Sequence, residues 1–114
     1  MIVDHASAFG LLAVLVMGHL VGDFVLQSDR MAVEKYPGSD VTLPWPYWLT
    51  AHSACHGLLA AWITGIPALG VAEWVAHWLI DHGKCRNLFN LAIDQALHII
   101  SKVIWVVMIV KFSL

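Results

Sequence analysis

The stretch SAFGLLAVLVMGHLVGDFVLQ, residues 7–27, decides the fold class. A helix crossing the hydrocarbon core of a bilayer needs about 20 predominantly apolar residues. Here a run of that length is interrupted only by His19 and Asp23. The preceding MIVDH carries an acid where a secretory leader carries basic residues, and no small-x-small cleavage site follows. The stretch is therefore expected to be a membrane span and not a leader.

Three further stretches read the same way, at 47–64, 68–82 and 88–112. Between the first and second lies a polar connection, 28–46, with Pro37-Gly38 and Pro44-Trp45-Pro46, read as a loop with room for a surface helix. Gly65-Ile66-Pro67 breaks the second span from the third, and Gly83 to Asn87 reads as a tight charged turn. The third span is short, about 22 Å at 1.5 Å per residue, and calls for local bilayer thinning or shelter by its neighbours. Composition agrees: 60% of the 114 residues are hydrophobic and 12% charged, with a mean hydropathy of +0.75. An ordinary soluble domain carries about 25% charged residues. A disordered chain, a basic nucleic-acid binder and most water-soluble folds are excluded, and two cysteines are too few for a disulfide framework. The expectation is an all-α protein, one integral-membrane domain over 1–114, built as a four-transmembrane-helix up-down-up-down bundle.

Lysine and arginine set orientation. The connections after spans one and three hold Arg30, Lys35, Lys84 and Arg86, against Lys111 alone on the other side. This places both connections in the cytoplasm and both termini outside. Trp45, Tyr47 and Trp48 stand where span two enters the bilayer, as an interfacial aromatic anchor. The lipid bilayer is the expected partner, nucleic acid is not, and a homodimer is open because no small-xxx-small stripe marks an interface.

The ionisable residues inside the spans form a pattern. Span one has His19 and Asp23, span two His52 and His56, span three His77 and Asp81, span four Asp94 and His98. Every pair is spaced i, i+4, which puts its members about 40° apart on one helix face. The pairs lie near the C-terminal, N-terminal, C-terminal and N-terminal ends of successive spans. In an alternating bundle all four ends share one side, so eight side chains converge in a layer near the cytoplasmic face. An aspartate at mid-membrane costs roughly 2.5–3.5 kcal/mol on insertion scales, so partners are required. Mutual Asp–His hydrogen bonding would supply some of them. A metal site would use all of them: imidazole and carboxylate suit zinc first, with iron or manganese as alternatives. Eight ligands exceed the four of one tetrahedral zinc and suit two ions. HSACH at 52–56 is not the HExxH metalloprotease motif, because Ser53 replaces the glutamate.

Other polar groups extend these faces. Glu73, one turn before His77, is the candidate general base or a further ligand. Gln27 continues the His19–Asp23 face, and Lys102 continues the Asp94–His98 face, as an ion-pair partner or a contact for an anionic substrate. Gln95 points elsewhere on its helix and is expected to pack. Lys84 and Arg86 sit just outside the layer as topology-setting charges that could also attract phosphate. Cys55 is expected in the core, and Asp4, His5 and His82 at span ends facing water or the interface.

His19-Leu-Val-Gly-Asp23-Phe-Val-Leu-Gln27, the His52/His56 pair, His77-x-x-Ile80-Asp81-x-x-Lys84 and Asp94-Gln95-x-x-His98 together resemble a family of small membrane proteins of bacteria and their phages, catalogued as domain of unknown function 3307. The likeness spans about residues 11–102. It implies a His/Asp-rich multi-span membrane protein and supplies no reaction; with the Lys/Arg distribution above, the expected location is the bacterial inner membrane with periplasmic termini. More remotely, the ligand types are similar to membrane-bound metal-dependent hydrolases of the bacterial damage response. The reading that follows is a binuclear metal-dependent hydrolase acting on a lipid-like ester or phosphoester, or another small-molecule substrate, near the cytoplasmic face. The alternatives are a di-iron redox enzyme acting on lipid tails and a non-enzymatic, metal-stabilised membrane or phage effector. A haem cytochrome fits poorly, because haem ligation leaves the matched aspartates without a purpose.

Overall fold

Short polar caps and helix breakers delimit the helices. In the computed structural model, which describes residues 7–114, Ser7 caps α1 (Ala8–Leu20), its hydroxyl accepting the Gly10 N–H at 2.9 Å. The helix widens into a π turn, Val21–Val25, where the Leu26 N–H reaches the Val21 carbonyl at 2.9 Å. Ser28 caps the short α2 (Asp29–Glu34). Pro44 leads into α3 (Trp45–Thr64), and Gly65 at φ 72° ends it in the left-handed region that favours glycine. Then come α4 (Pro67–Cys85) and α5 (Leu91–Phe112), the latter capped by Asn90, which accepts the Ile93 N–H at 2.9 Å. The described residues hold five α-helices and no strand.

The principal contact is α3 against α4, with α1 against α3 and α5, and α5 against α4. Small residues permit the α3–α4 approach. A Cβ on Gly57 would stand 2.7 Å from the Gly70 carbonyl oxygen, and one on Gly70 2.5 Å from the Ala61 Cβ. The small residues are thus spent inside the chain. At one end of the molecule Leu11, Leu15, Ile63, Leu69, Val106 and Ile109 form an apolar core.

The rest of the interior is polar. His19, His52, His56, Glu73, His77, Asp81, Asp94, His98 and Lys102 are all at most 2% exposed, whereas Phe9, Leu58 and Trp62 are 87%, 74% and 68% exposed. A water-soluble fold has the opposite distribution of charge and places few charges inside. Among the described residues two elements are long and apolar enough to cross a membrane, Ala8–Val25 and Leu91–Phe112, which supports membrane association. Of the four expected spans, α3 and α4 match these in length, at 20 and 19 residues. Their buried His52, Ser53 and His56, and Glu73, His77 and Asp81, lower their apolarity.

The end of the third stretch moves. The third stretch does not stop at His82: Gly83, Lys84 and Cys85 are helical, the Arg86 N–H still bonds the His82 carbonyl at 2.9 Å, and the chain turns at Asn87 with φ 60°. With 19 residues α4 spans about 28 Å, so the shortness expected of it disappears. The 28–46 connection is ordered by one carboxylate. Glu34 accepts the N–H groups of Val41 and Thr42, each at 2.6 Å, and the Thr42 hydroxyl at 2.9 Å. Burial opposes its charge, but these bonds outweigh that and hold its carboxyl below the usual range. Trp45, expected as an interfacial anchor, stacks on His82 at 4.9 Å and an interplanar angle of 6°. Cys55 is half-buried rather than in the core. The expectations for Asp4 and His5 lie outside the described residues.

Candidate metal centre

Asp23 occupies the middle of the π turn and the middle of the site. Its Oδ1 lies 3.0 Å from His56 Nε2, 3.2 Å from His52 Nε2 and 3.5 Å from His77 Nε2. Its Oδ2 lies 3.4 Å from His19 Nε2. Helices α1, α3 and α4 therefore meet on one carboxylate. π turns inside α-helices occur frequently at functional sites, and this one holds the residue that the other ligands surround. Gln27 braces it, donating to the Asp23 carbonyl at 3.2 Å. Gly22 makes room: a Cβ there would stand 2.6 Å from His56 Cε1.

The remaining pairs close around this hub. His52 and His77 bring their Nε2 atoms to 3.2 Å, and His52 Nε2 is 3.6 Å from Asp81 Oδ2. His98 Nε2 lies 3.3 Å from Asp94 Oδ1. The rings of His56 and His77 stack at 3.6 Å between centroids, and those of His77 and His98 at 4.2 Å. Among the described residues three groups of possible ligands result, each with its ligand atoms within 4.8 Å of one another: His19, Asp23, His56 and His77; His52, His77 and Asp81; and Asp23, Asp94 and His98. All eight residues singled out from the sequence are in these groups. Asp23 and His77 each belong to two of them.

The donor set can be tested against both chemistries. A carboxylate offers about four lone-pair sites, and neutral imidazole has one N–H and one acceptor nitrogen. In a purely hydrogen-bonded cluster each inward nitrogen must find a matched partner. Yet His56 Nε2 and Asp94 Oδ1 are buried without a hydrogen bond, despite their short distances to carboxylate and imidazole. Nδ1 of His19, His77 and His98 is likewise buried and unpartnered. Gln95 Oε1, an acceptor, lies 2.9 Å from His19 Nε2, so that nitrogen carries the His19 proton; protons on Nδ1 of His77 and His98 leave their Nε2 lone pairs aimed inward near carboxylates, and converging lone pairs fit a cation. The arrangement fits imidazole–carboxylate binding of zinc, iron or manganese better than a closed hydrogen-bond network.

Two side chains join the site without being expected there. Gln95, expected only to pack, donates to Asp23 Oδ2 at 2.9 Å and to Asp94 Oδ2 at 3.1 Å, and its Oε1 lies 2.9 Å from His19 Nε2. It sits about 100° around the helix from Asp94, and both positions face inward because α1 lies alongside. The adjacent polar pair Asp94-Gln95 in an apolar helix was the available signal. Lys35 comes from the connection after α2, and its Nζ lies 2.7 Å from Asp81 Oδ2. No spacing rule links residues so far apart. Lys84, expected just outside the layer, reaches Asp81 Oδ1 at 3.4 Å.

Glu73 is fully buried and forms an ion pair with Lys102. A cavity of about 10 Å³ is lined by this pair and by His19 and His56 among others. Such a volume is close to that of a single water.

A family model described as "Protein of unknown function (DUF3307)" matches residues 11–114. No curated protein and no solved structure matches the chain.

Proposed function

The chain belongs to the DUF3307 family of proteins of unknown function, and we propose that it is an integral-membrane, metal-dependent hydrolase with a binuclear centre. The observation that carries this reading is the sharing of the Asp23 carboxylate between two of the ligand groups. Overlap of that kind suits two neighbouring divalent ions with a carboxylate between them. Zinc is the first choice, with iron or manganese as alternatives. His19, Asp23, His52, His56, His77, Asp81, Asp94 and His98 would hold the ions, which would supply Lewis acidity toward an ester or phosphoester of a lipid-like substrate.

The chain's own groups prepare that chemistry. Gln95 orients Asp23 and Asp94 by donating to both. The Glu73–Lys102 pair lines the same small cavity as His19 and His56 and would carry a proton to or from the centre. The apolar surface excludes bulk water and strengthens each charge interaction inside.

The membrane reading extends to four spans, running up and down alternately, with the centre toward the cytoplasmic face of the inner membrane and the termini periplasmic. Its support is the meeting of pairs from alternate helix ends, the polar interior under an apolar surface, and the placing of Arg30 and Lys35 in the 28–46 connection and of Lys84 and Arg86 at the C-terminal end of α4. The test is hydrolysis of a panel of ester and phosphoester lipids by detergent-purified protein. We expect turnover that a chelator abolishes and zinc or manganese restores, and that Glu73→Gln slows while the metal stays bound. Absence of turnover across the panel by metal-loaded protein would overturn the hydrolase reading.

A further inference from the structure

The charges around Asp81 point to a subsite in the same centre. Two ammonium groups close on this one carboxylate, Lys35 Nζ at 2.7 Å from Oδ2 and Lys84 Nζ at 3.4 Å from Oδ1. Lys35 is only 2% exposed. It follows Glu34, whose bonds to Val41 and Thr42 fix the connection that delivers it. A buried lysine is costly unless its charge is matched, and one carboxylate matches one lysine, not two.

The charge of the whole layer sharpens the point. The layer holds three aspartates, Asp23, Asp81 and Asp94, and two lysines, Lys35 and Lys84, both on Asp81, while Glu73 and Lys102 neutralise each other. Without metal the layer holds one excess negative charge. A single divalent ion reverses this to one positive, and two ions leave three. In a low-dielectric interior such an excess demands an anion. Lys35 is held among buried groups, whereas the Lys84 side chain is 18% exposed and lies 6.0 Å from the Tyr36 ring on the connection. The positive end of the layer thus borders the solvent-facing connection.

We propose that Lys35 and Lys84 form the subsite for a phosphate group bound at the metal-loaded centre. Phosphate carries up to two negative charges and several acceptor oxygens, so it can meet two ammonium groups and still present an oxygen to the ions, and lysine is a general phosphate binder. A monoanionic carboxylate balances less of the charge. The proposal rests on the metal reading above and names the class of its ligand.

The experiment uses zinc-loaded, detergent-purified full chain, with metal content measured beside inorganic-phosphate binding by calorimetry. Wild type should bind phosphate, and Lys35→Gln and Lys84→Gln should each weaken binding about tenfold or more with metal retained. Lys35→Arg, which keeps the charge, should bind phosphate and guard against a folding defect in Lys35→Gln. Protein with its full metal complement that binds no phosphate, or whose Lys→Gln variants bind as wild type does, overturns this proposal and leaves the metal reading standing. Protein that holds no zinc overturns the metal reading, and this proposal with it. Phosphatidic acid in nanodiscs distinguishes the sources: displacement of inorganic phosphate by it, but not by phosphatidylcholine, supports a lipid headgroup, and no displacement by either supports a soluble phosphate.

Discussion

Oδ1 of Asp23 stands 3.0 Å from Nε2 of His56, and Gly22 makes that approach possible. A methyl group at residue 22 would stand 2.6 Å from the His56 ring, closer than real Cβ contacts allow. Gly22→Ala should therefore push His56 away from Asp23. Overpacking of this kind costs about 1–3 kcal/mol. The expected outcome is a folded, less stable protein with reduced metal content, measured by thermal unfolding and elemental analysis of the same sample. Unchanged metal content would mean that His56 is dispensable as a ligand.

Asp23 itself contacts ligands from three helices, and Asp23→Asn preserves its shape while removing its charge. The variant should fold and lose most of its metal, since the shared carboxylate serves two of the three ligand groups. Asp81→Asn, at one edge of the cluster, should lose less. Comparing the metal-to-protein ratios of the two variants checks this order.

The Glu73–Lys102 pair lies on α4 and α5, away from water. Breaking a buried ion pair by removing one partner costs about 3–5 kcal/mol, whereas replacing both with apolar groups is often neutral. Lys102→Met should lower the thermal midpoint markedly, and Glu73→Leu with Lys102→Met should recover most of the loss. Thermal denaturation of the single and double variants in one detergent measures it. A double variant no more stable than the single would show that the pair is not coupled.

The 28–46 connection should open with acid. Glu34 has its carboxyl held below the usual range in the folded chain, by hydrogen bonds that outweigh the cost of burial. The stabilisation it gives is present above the unfolded value, about 4.3, and is lost as pH falls through the depressed folded value. Proteolysis or amide exchange of this segment should rise in that window for wild type. Glu34→Gln should expose the segment already at neutral pH.

The four i, i+4 pairs made the centre legible from the sequence, because helical geometry fixes which residues share a face and span order fixes which ends meet. His52, His56, His77 and His98 needed no more than that. The π turn at Val21–Val25 was not legible, since an i→i+5 bond at Leu26 leaves no mark in an apolar run that suits an α-helix equally well. Nor was the reach of Lys35 to Asp81, which depends on how Glu34 folds a polar connection back on itself. Gln95 was not legible either, since a position about 100° around the helix from Asp94 faces inward only because α1 packs beside α5. The extension of α4 through Cys85 was hidden by Gly83 and the charges after it, which read as a turn until Asn87 is seen to make the reversal.

Elemental analysis of the detergent-purified wild-type protein, beside His52→Ala and Asp94→Ala, tests most directly whether these imidazoles and carboxylates hold divalent ions. The account predicts stoichiometric zinc, iron or manganese in the wild type and its loss in both variants. A wild-type protein that is folded and free of all three metals would contradict it.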